Sequence, residues 1–89
     1  MFDGVRQEQI IMQIKLYSRQ LCGWCQDAKA YLKEHNLPFA EVDVGRDRAA
    51  YDEMIKLSGQ SLVPTIVIDG KVLADFDTGQ LEQFLAQLK

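Results

Sequence analysis

The sequence lacks any apolar stretch that approaches the roughly 18 residues needed for a transmembrane helix. Its first fifteen residues, MFDGVRQEQIIMQIK, also lack the pattern of a signal peptide. Asp3 and Glu8 stand where basic residues are expected, and no apolar core follows them. The sequence therefore predicts no membrane association, and we expect a cytoplasmic protein.

An excess of basic residues is also missing. The sequence has 10 Lys and Arg against 13 Asp and Glu, for a formal net charge of -3 at pH 7. This balance argues against binding to nucleic acid or to an anionic membrane surface. The 89 residues, 47% of them hydrophobic, fit one globular domain over residues 1–89, which we expect to be a monomer. Residues 1–9 are predicted to be a flexible N-terminal extension.

Cysteine is scarce, since the sequence has only two. They lie three positions apart in the segment RQLCGWCQDAKAYL, with a tryptophan between them. Disulfides that only staple a fold are rare in the reducing cytoplasm. The pair is therefore expected either to react or to hold a metal.

The pattern of apolar residues predicts the element order β-α-β-α-β-β-α. Alternating residues indicate strands at 10–17 and 39–44, and Asp69–Gly70 between two apolar runs is a strong signal for a β-hairpin. A helix should begin near Gly23 or Trp24, a second should end at Gly59, and a third should have Thr78 as its N-cap. This order predicts an α/β thioredoxin-like fold, with a mixed four-stranded sheet flanked by helices.

Cys22 comes directly after a predicted strand, at the entry of a predicted helix. The unpaired N–H groups and the positive dipole end of a helix N-terminus stabilise a thiolate. Such a position lowers the pKa of a cysteine from about 8.5 toward 7 or below, and Arg19 adds a nearby positive charge. We therefore predict that Cys22 is a nucleophile.

Cys25 lies one helical turn after Cys22, close enough for the two residues to form a disulfide. We expect it to be the more buried of the two and to resolve a mixed disulfide on Cys22. Between them, Gly23 leaves the backbone accessible and Trp24 offers an aromatic surface. A Cys-x-x-Cys pair beside a βαβ pattern is typical of a redox motif.

Metal binding is the alternative interpretation of the cysteine pair. Zinc usually takes four protein ligands in a structural site, and His35 is far along the predicted helix. No metal site within a single chain is therefore predicted. The alternative hypothesis is a protein that binds or transfers an iron–sulfur cluster, with a [2Fe–2S] cluster shared between the two chains of a dimer through Cys22.

With Cys22-Gly-Trp-Cys25 after one strand and Val63-Pro64-Thr65 before another, the chain resembles the glutaredoxin family over residues 12–88. The resemblance implies a thiol-disulfide oxidoreductase that reduces disulfides of proteins or small molecules and has no tightly bound cofactor. It also implies that Pro64 follows a cis peptide bond beside the cysteines. The main chain of Val63 would then pair with the backbone of a substrate.

The resemblance is incomplete after the fourth strand. Glutaredoxins have a Gly-Gly pair there, followed by Asp or Ser residues that hold glutathione, whereas this chain has Ala-Asp-Phe-Asp-Thr at 74–78. Asp75 adds a negative charge, and Phe76-Asp77 resembles the loop of the NrdH redoxins, which thioredoxin reductase reduces. Both glutathione and thioredoxin reductase stay open as electron sources, and the missing glycines favour the second. The expected substrate-binding residues are Arg19, Gly23, Trp24, Val63, Pro64, Phe76, Asp77 and Thr78.

Overall fold

A computed structural model of the chain describes residues 13–88. The expected extension at 1–9 and the first residues of the strand predicted at 10–17 lie outside the described residues. Three helices and four strands follow one another in the predicted order, and no helix of residues 13–88 has the length and apolar character required to cross a membrane. The elements are β1 (Ile14–Ser18), α1 (Gly23–Glu34), β2 (Ala40–Asp43), α2 (Arg48–Ser58), β3 (Thr65–Ile68), β4 (Lys71–Ala74) and α3 (Thr78–Gln87).

The four strands form one mixed sheet in the order β2-β1-β3-β4. β1 pairs in parallel with β2 and antiparallel with β3, which in turn pairs antiparallel with β4. The prediction of a thioredoxin-like fold is confirmed. β1 and β3 occupy the centre of the sheet, and in their register Tyr17 lies opposite Thr65. The loop that follows β1 and the loop that precedes β3 therefore meet at the same end of the sheet.

The predicted hairpin is present, because Asp69 and Gly70 connect β3 to β4 with φ angles of 50° and 86°. Two consecutive positive φ angles are what a two-residue turn of type I′ requires. The Asp69 carboxylate also accepts a hydrogen bond from the Gln13 N–H at 3.0 Å, and the Asp69 N–H donates to the Gln13 carbonyl at 3.1 Å. These bonds close the end of the sheet that lies opposite the cysteines.

Alternate residues of the central strands pack on opposite faces of the sheet. Leu16 and Ile66 belong to the larger core cluster, which α1 and α3 cover, while Tyr17 belongs to a second cluster beneath α2. The larger cluster consists of Ile14, Leu16, Ala28, Leu32, Ile66, Ile68, Phe76, Leu81 and Leu85. The second consists of Tyr17, Val44, Ala50 and Met54.

The helix ends follow from local sequence, with one correction. Gly59 directly follows the last residue of α2 and has the left-handed φ of 73° expected for a glycine that ends a helix. The prediction that Thr78 is the N-cap of α3 is wrong, because Asp77 holds that position. Asp77 accepts from the Gln80 N–H at 2.8 Å, and the Gln80 side chain accepts from the Asp77 N–H at 3.0 Å. This reciprocal pair, a capping box, requires Gln three residues after the cap and so selects Asp77.

Candidate functional site

Cys22 is the N-cap residue of α1, with extended φ and ψ angles of -125° and 111°. Its sulfur accepts a hydrogen bond from the Cys25 N–H at 3.1 Å. An N-cap side chain normally accepts such a bond through oxygen, and here a sulfur takes that place. One free N–H of the first turn of α1, that of Cys25, therefore points at the sulfur, which is an arrangement that stabilises negative charge there.

The two cysteines differ in exposure. Cys25 lies in the first turn of α1 and is completely buried, whereas Cys22 is partly exposed. Their Cα atoms are 5.1 Å apart and their sulfurs are in disulfide contact. Gly23 between them is exposed, and a Cβ atom added to it would meet nothing within 4 Å. A disulfide that arrives from solvent therefore reaches Cys22 first.

Val63 and Pro64 lie at the same end of the sheet as Cys22, directly before β3. The Val63–Pro64 peptide bond is cis, as the resemblance to glutaredoxins implies. Pro64 is buried, and its carbonyl accepts a hydrogen bond from the Asp75 N–H at 2.8 Å. Asp75 itself has a positive φ of 53°. The bond between these residues anchors the β4–α3 loop to the segment before β3.

Exposed apolar side chains occur in both segments of the site. Leu21, next to Cys22, is 101% exposed, Trp24 is 50% exposed, and Leu62, next to Val63, is 56% exposed. Trp24 is among the predicted substrate-binding residues, whereas neither leucine is. An apolar residue in a short loop gives no local sign of whether it faces solvent or core, so adjacency to the motifs was the only signal.

Phe76 is one of the predicted substrate-binding residues, but its side chain faces the core and not a groove. Phe76 is completely buried and packs in the larger core cluster with Leu81. It is the large apolar residue of its loop, and burial in the core stabilises it more than exposure at a rim would. Asp77 is exposed but uses its carboxylate as the cap of α3, and Thr78 is the partly exposed first residue of that helix.

Arg19 is exposed and lies toward α2. Its guanidinium is 5.6 Å from the centre of the Tyr51 ring, and that of Arg48 is 5.9 Å from the same ring. With Arg46, these side chains line a surface cleft of about 270 Å³. One carboxylate offsets part of this charge, because Arg48 forms an ion pair with Asp52 at 3.1 Å.

Two carboxylates near the sheet are held in their ionised form. A hydrogen bond from Lys15, at 2.8 Å, is the main reason that the pKa of Glu53 lies below its usual value, and the buried Tyr17 hydroxyl also donates to Glu53. The pKa of Glu41 is likewise lowered, chiefly by Lys29 at 3.0 Å. Neither carboxylate has the raised pKa that a general acid needs at neutral pH.

Metal-ligating side chains are not gathered together in the part of the chain that the structure describes. No three His, Cys, Asp or Glu residues within 13–88 come close enough to form a metal site. His35 instead stacks on Tyr31, with ring centroids 4.2 Å apart. A cluster shared between two chains is a different arrangement, and it stays an alternative hypothesis.

Comparisons with known proteins agree with this geometry. A family model described as Glutaredoxin matches residues 14–73. An uncharacterized glutaredoxin-like 8.6 kDa protein from the rubredoxin operon of Clostridium pasteurianum is 40% identical over 72 residues, which cover 81% of this chain and 96% of the relative. Glutaredoxin 3 of Escherichia coli is 34% identical over 64 residues, or 72% of this chain and 77% of the relative. The crystal structure of the thioredoxin-like protein BC3987 superposes with a TM-score of 0.74 at 35% identity, covering 80% of this chain and 97% of that one.

Proposed function

The chain belongs to the glutaredoxin family, and on that premise we propose that it reduces disulfides of proteins or small molecules through Cys22 and Cys25. The observation that carries the proposal is the asymmetry of the cysteine pair. One sulfur is partly exposed and accepts a helix N–H, and the other is buried one turn later. A dithiol of this form has one thiol suited to attack and one suited to resolve.

In the first step, the Cys22 thiolate attacks one sulfur of the substrate disulfide. A bond forms between Cys22 and that sulfur, the substrate S–S bond breaks, and the other substrate sulfur leaves as a thiolate that takes up a proton. The helix N–H that points at the Cys22 sulfur stabilises the attacking thiolate. The product of this step is a mixed disulfide on Cys22.

In the second step, Cys25 loses its proton and attacks the Cys22 sulfur. The bond from Cys22 to the substrate breaks, the second substrate thiol is released, and a Cys22–Cys25 disulfide forms. The substrate has then gained two electrons and two protons, and the dithiol has lost them. The contact between the two sulfurs supports this step, because the resolving atom already lies beside its target.

A thioredoxin reductase is the electron source that the charges of the site favour. The main-chain N–H of Asp75 donates a hydrogen bond to the Pro64 carbonyl. The Asp75 carboxylate therefore lies near the cis-proline, where it would repel the carboxylates of glutathione. The guanidiniums of Arg19 and Arg46 favour glutathione instead, but the Arg48 charge beside them is paired with Asp52. Glutathione is therefore the second candidate.

The test follows NADPH consumption by the oxidised protein in two parallel assays. One contains thioredoxin reductase, and the other contains glutathione with glutathione reductase. We expect rapid turnover with thioredoxin reductase and slow turnover with glutathione. The reverse result would assign glutathione as the electron source.

Two variants serve as controls for the proposed chemistry. Cys22→Ser should abolish turnover in both assays, and Cys25→Ser should accumulate a mixed disulfide on Cys22 that mass spectrometry detects. Absence of turnover by the wild-type protein in both assays would contradict the proposed reductase function. A brown colour in that inactive protein would instead favour the shared iron–sulfur cluster.

A further inference from the structure

The side chain of Gln60 makes several hydrogen bonds that hold the loop before β3. The Gln60 amide oxygen accepts from the Leu62 N–H at 2.8 Å, and its Nε2 donates to the Leu62 carbonyl at 3.2 Å. Nε2 also lies 2.9 Å from the Ser58 hydroxyl and 3.2 Å from the Thr65 hydroxyl. A single carboxamide thus connects the last residue of α2, the middle of the loop and the first residue of β3.

Thr65 makes a second contact with the same carbonyl. Its hydroxyl donates to the Leu62 carbonyl at 2.9 Å, and its side chain is completely buried. Leu62 is therefore held through both of its main-chain polar groups, although its own side chain is exposed. This degree of side-chain bonding to one loop residue fixes the orientation of the peptide that follows it.

That peptide joins Leu62 to Val63, and its orientation decides where the Val63 N–H points. A trans peptide is planar, and its C=O and N–H groups point in opposite directions. Because the Leu62 carbonyl points toward Gln60 and Thr65, the Val63 N–H points away from them. Among the hydrogen bonds within residues 13–88, none uses this N–H.

We propose that Gln60 is a positioning residue, which with Thr65 holds the Leu62–Val63 peptide so that the Val63 N–H is presented to the main chain of a peptide substrate. A peptide would accept this hydrogen bond through a carbonyl, as a strand does when it adds to a sheet edge. The inference rests on the proposed disulfide reductase function. It adds that the reduction of peptide disulfides depends on this loop, whereas the reduction of disulfides without a peptide group does not.

The experiment compares two disulfides in single-turnover reactions with excess prereduced protein, so that no reductase is needed. One substrate is a disulfide-bridged peptide, and the other is bis(2-hydroxyethyl) disulfide, which has no peptide group. For Gln60→Ala and Thr65→Val, we expect the concentration for half-maximal rate with the peptide to rise about three- to tenfold, as for loss of one hydrogen bond. The rate with the small disulfide should stay within about twofold of the wild type, because that substrate cannot use the Val63 N–H.

Gln83→Ala is the matched control, since Gln83 is an exposed glutamine of α3 outside this network. Gln60→Glu keeps the acceptor for the Leu62 N–H but loses the donor to the Leu62 carbonyl, so it should show the peptide-specific defect as well. Equal losses with both substrates, or no loss with the peptide, would overturn the inference. If the wild-type protein reduces neither substrate, the reductase function fails first, and the two failures are thereby distinguished.

Discussion

The Cys22 sulfur and the Cys25 main chain are joined by a hydrogen bond of 3.1 Å, so the backbone of the buried cysteine stabilises the sulfur of the exposed one. Cys25 thus acts on the Cys22 sulfur in two ways, through its main-chain N–H and through its own sulfur. The spacing of three residues is what allows this, because an N-cap side chain reaches the N–H groups two and three residues later. The motif therefore sets the reactivity of Cys22 and the position of Cys25 together.

This relationship predicts that the two thiols react at different rates. In Cys25→Ser only Cys22 remains, and in Cys22→Ser only Cys25 remains. At pH 7 we expect iodoacetamide to alkylate the first variant at least about tenfold faster, because Cys22 is exposed and its thiolate is stabilised. Mass spectrometry over time measures both rates. The same variants unfolded in guanidinium should react equally, and equal rates in the folded proteins would contradict the assigned roles.

Asp75 should weaken the use of glutathione through its charge. Asp75→Asn removes the carboxylate but suits the φ of 53°, because Asn tolerates the left-handed region, and it keeps the main-chain bond to Pro64. We expect turnover with glutathione to rise several-fold at low salt and the gain to shrink at high salt. Asp69→Asn is the matched control, since Asp69 has a φ of 50° at the opposite end of the sheet. An equal gain in both variants would show that the effect is not local.

Asp77 is expected to stabilise α3 as its N-cap, in addition to the substrate-binding role predicted for it. Asp77→Ala should lower the free energy of unfolding by about 0.5–2 kcal/mol, because it removes the cap from the Gln80 N–H. Asp77→Asn should be nearly as stable as the wild type, since Asn caps equally well. Urea unfolding measures each difference. Thr78→Ala serves as the comparison, and a loss of stability larger than that of Asp77→Ala would restore Thr78 as the cap.

Acid should weaken the contact between Glu53 and its two partners. The pKa of Glu53 is lowered in the folded state, first by the hydrogen bond from Lys15 and then by that from Tyr17. Its contribution is therefore present above the ordinary value of 4.5 and is lost as pH falls through the lowered folded value. Because Glu53 is 47% exposed, we expect less than about 1 kcal/mol.

Unfolding free energies of the wild type and Glu53→Gln, measured from pH 7 to pH 3, test this expectation. The difference between them should shrink toward pH 3, because protonated Glu53 resembles glutamine. Glu82→Gln, at an exposed position of α3, provides the background for loss of one surface carboxylate. A difference that grows on acidification would contradict the sign of the pKa shift.

The fold followed from local patterns, and the errors arose where two local signals competed. Alternation in β1, the Asp69–Gly70 turn and Gly59 at the end of α2 each specify one local structure. At the start of α3, Asp77 and Thr78 are both good N-caps, and the choice depended on the side chain of Gln80. The spacing of Asp77 and Gln80 is that of a capping box, so the signal that separates the two candidates was present in the sequence.

The site was predictable where its chemistry depends on residue type, as it does for the cysteine pair. The surroundings were not predictable, because they depend on how distant segments pack. Phe76 turns into the core while Leu21 and Leu62 face solvent, although all three are apolar loop residues. The contact of Gln60 with Thr65 likewise depends on the position of β3, which pairs with β1.

The central position of β1 and β3 has a consequence for how the molecule opens in solution. Both strands are hydrogen-bonded on two sides, whereas β2 and β4 each pair with one strand within residues 13–88. Amide hydrogens of the central strands should therefore exchange with deuterium most slowly in the sheet, through openings that approach global unfolding. The two loops that carry the cysteines and Pro64 are attached to these strands. The edge strands β2 and β4 can then open many times during a catalytic cycle without separating the cysteines from Pro64.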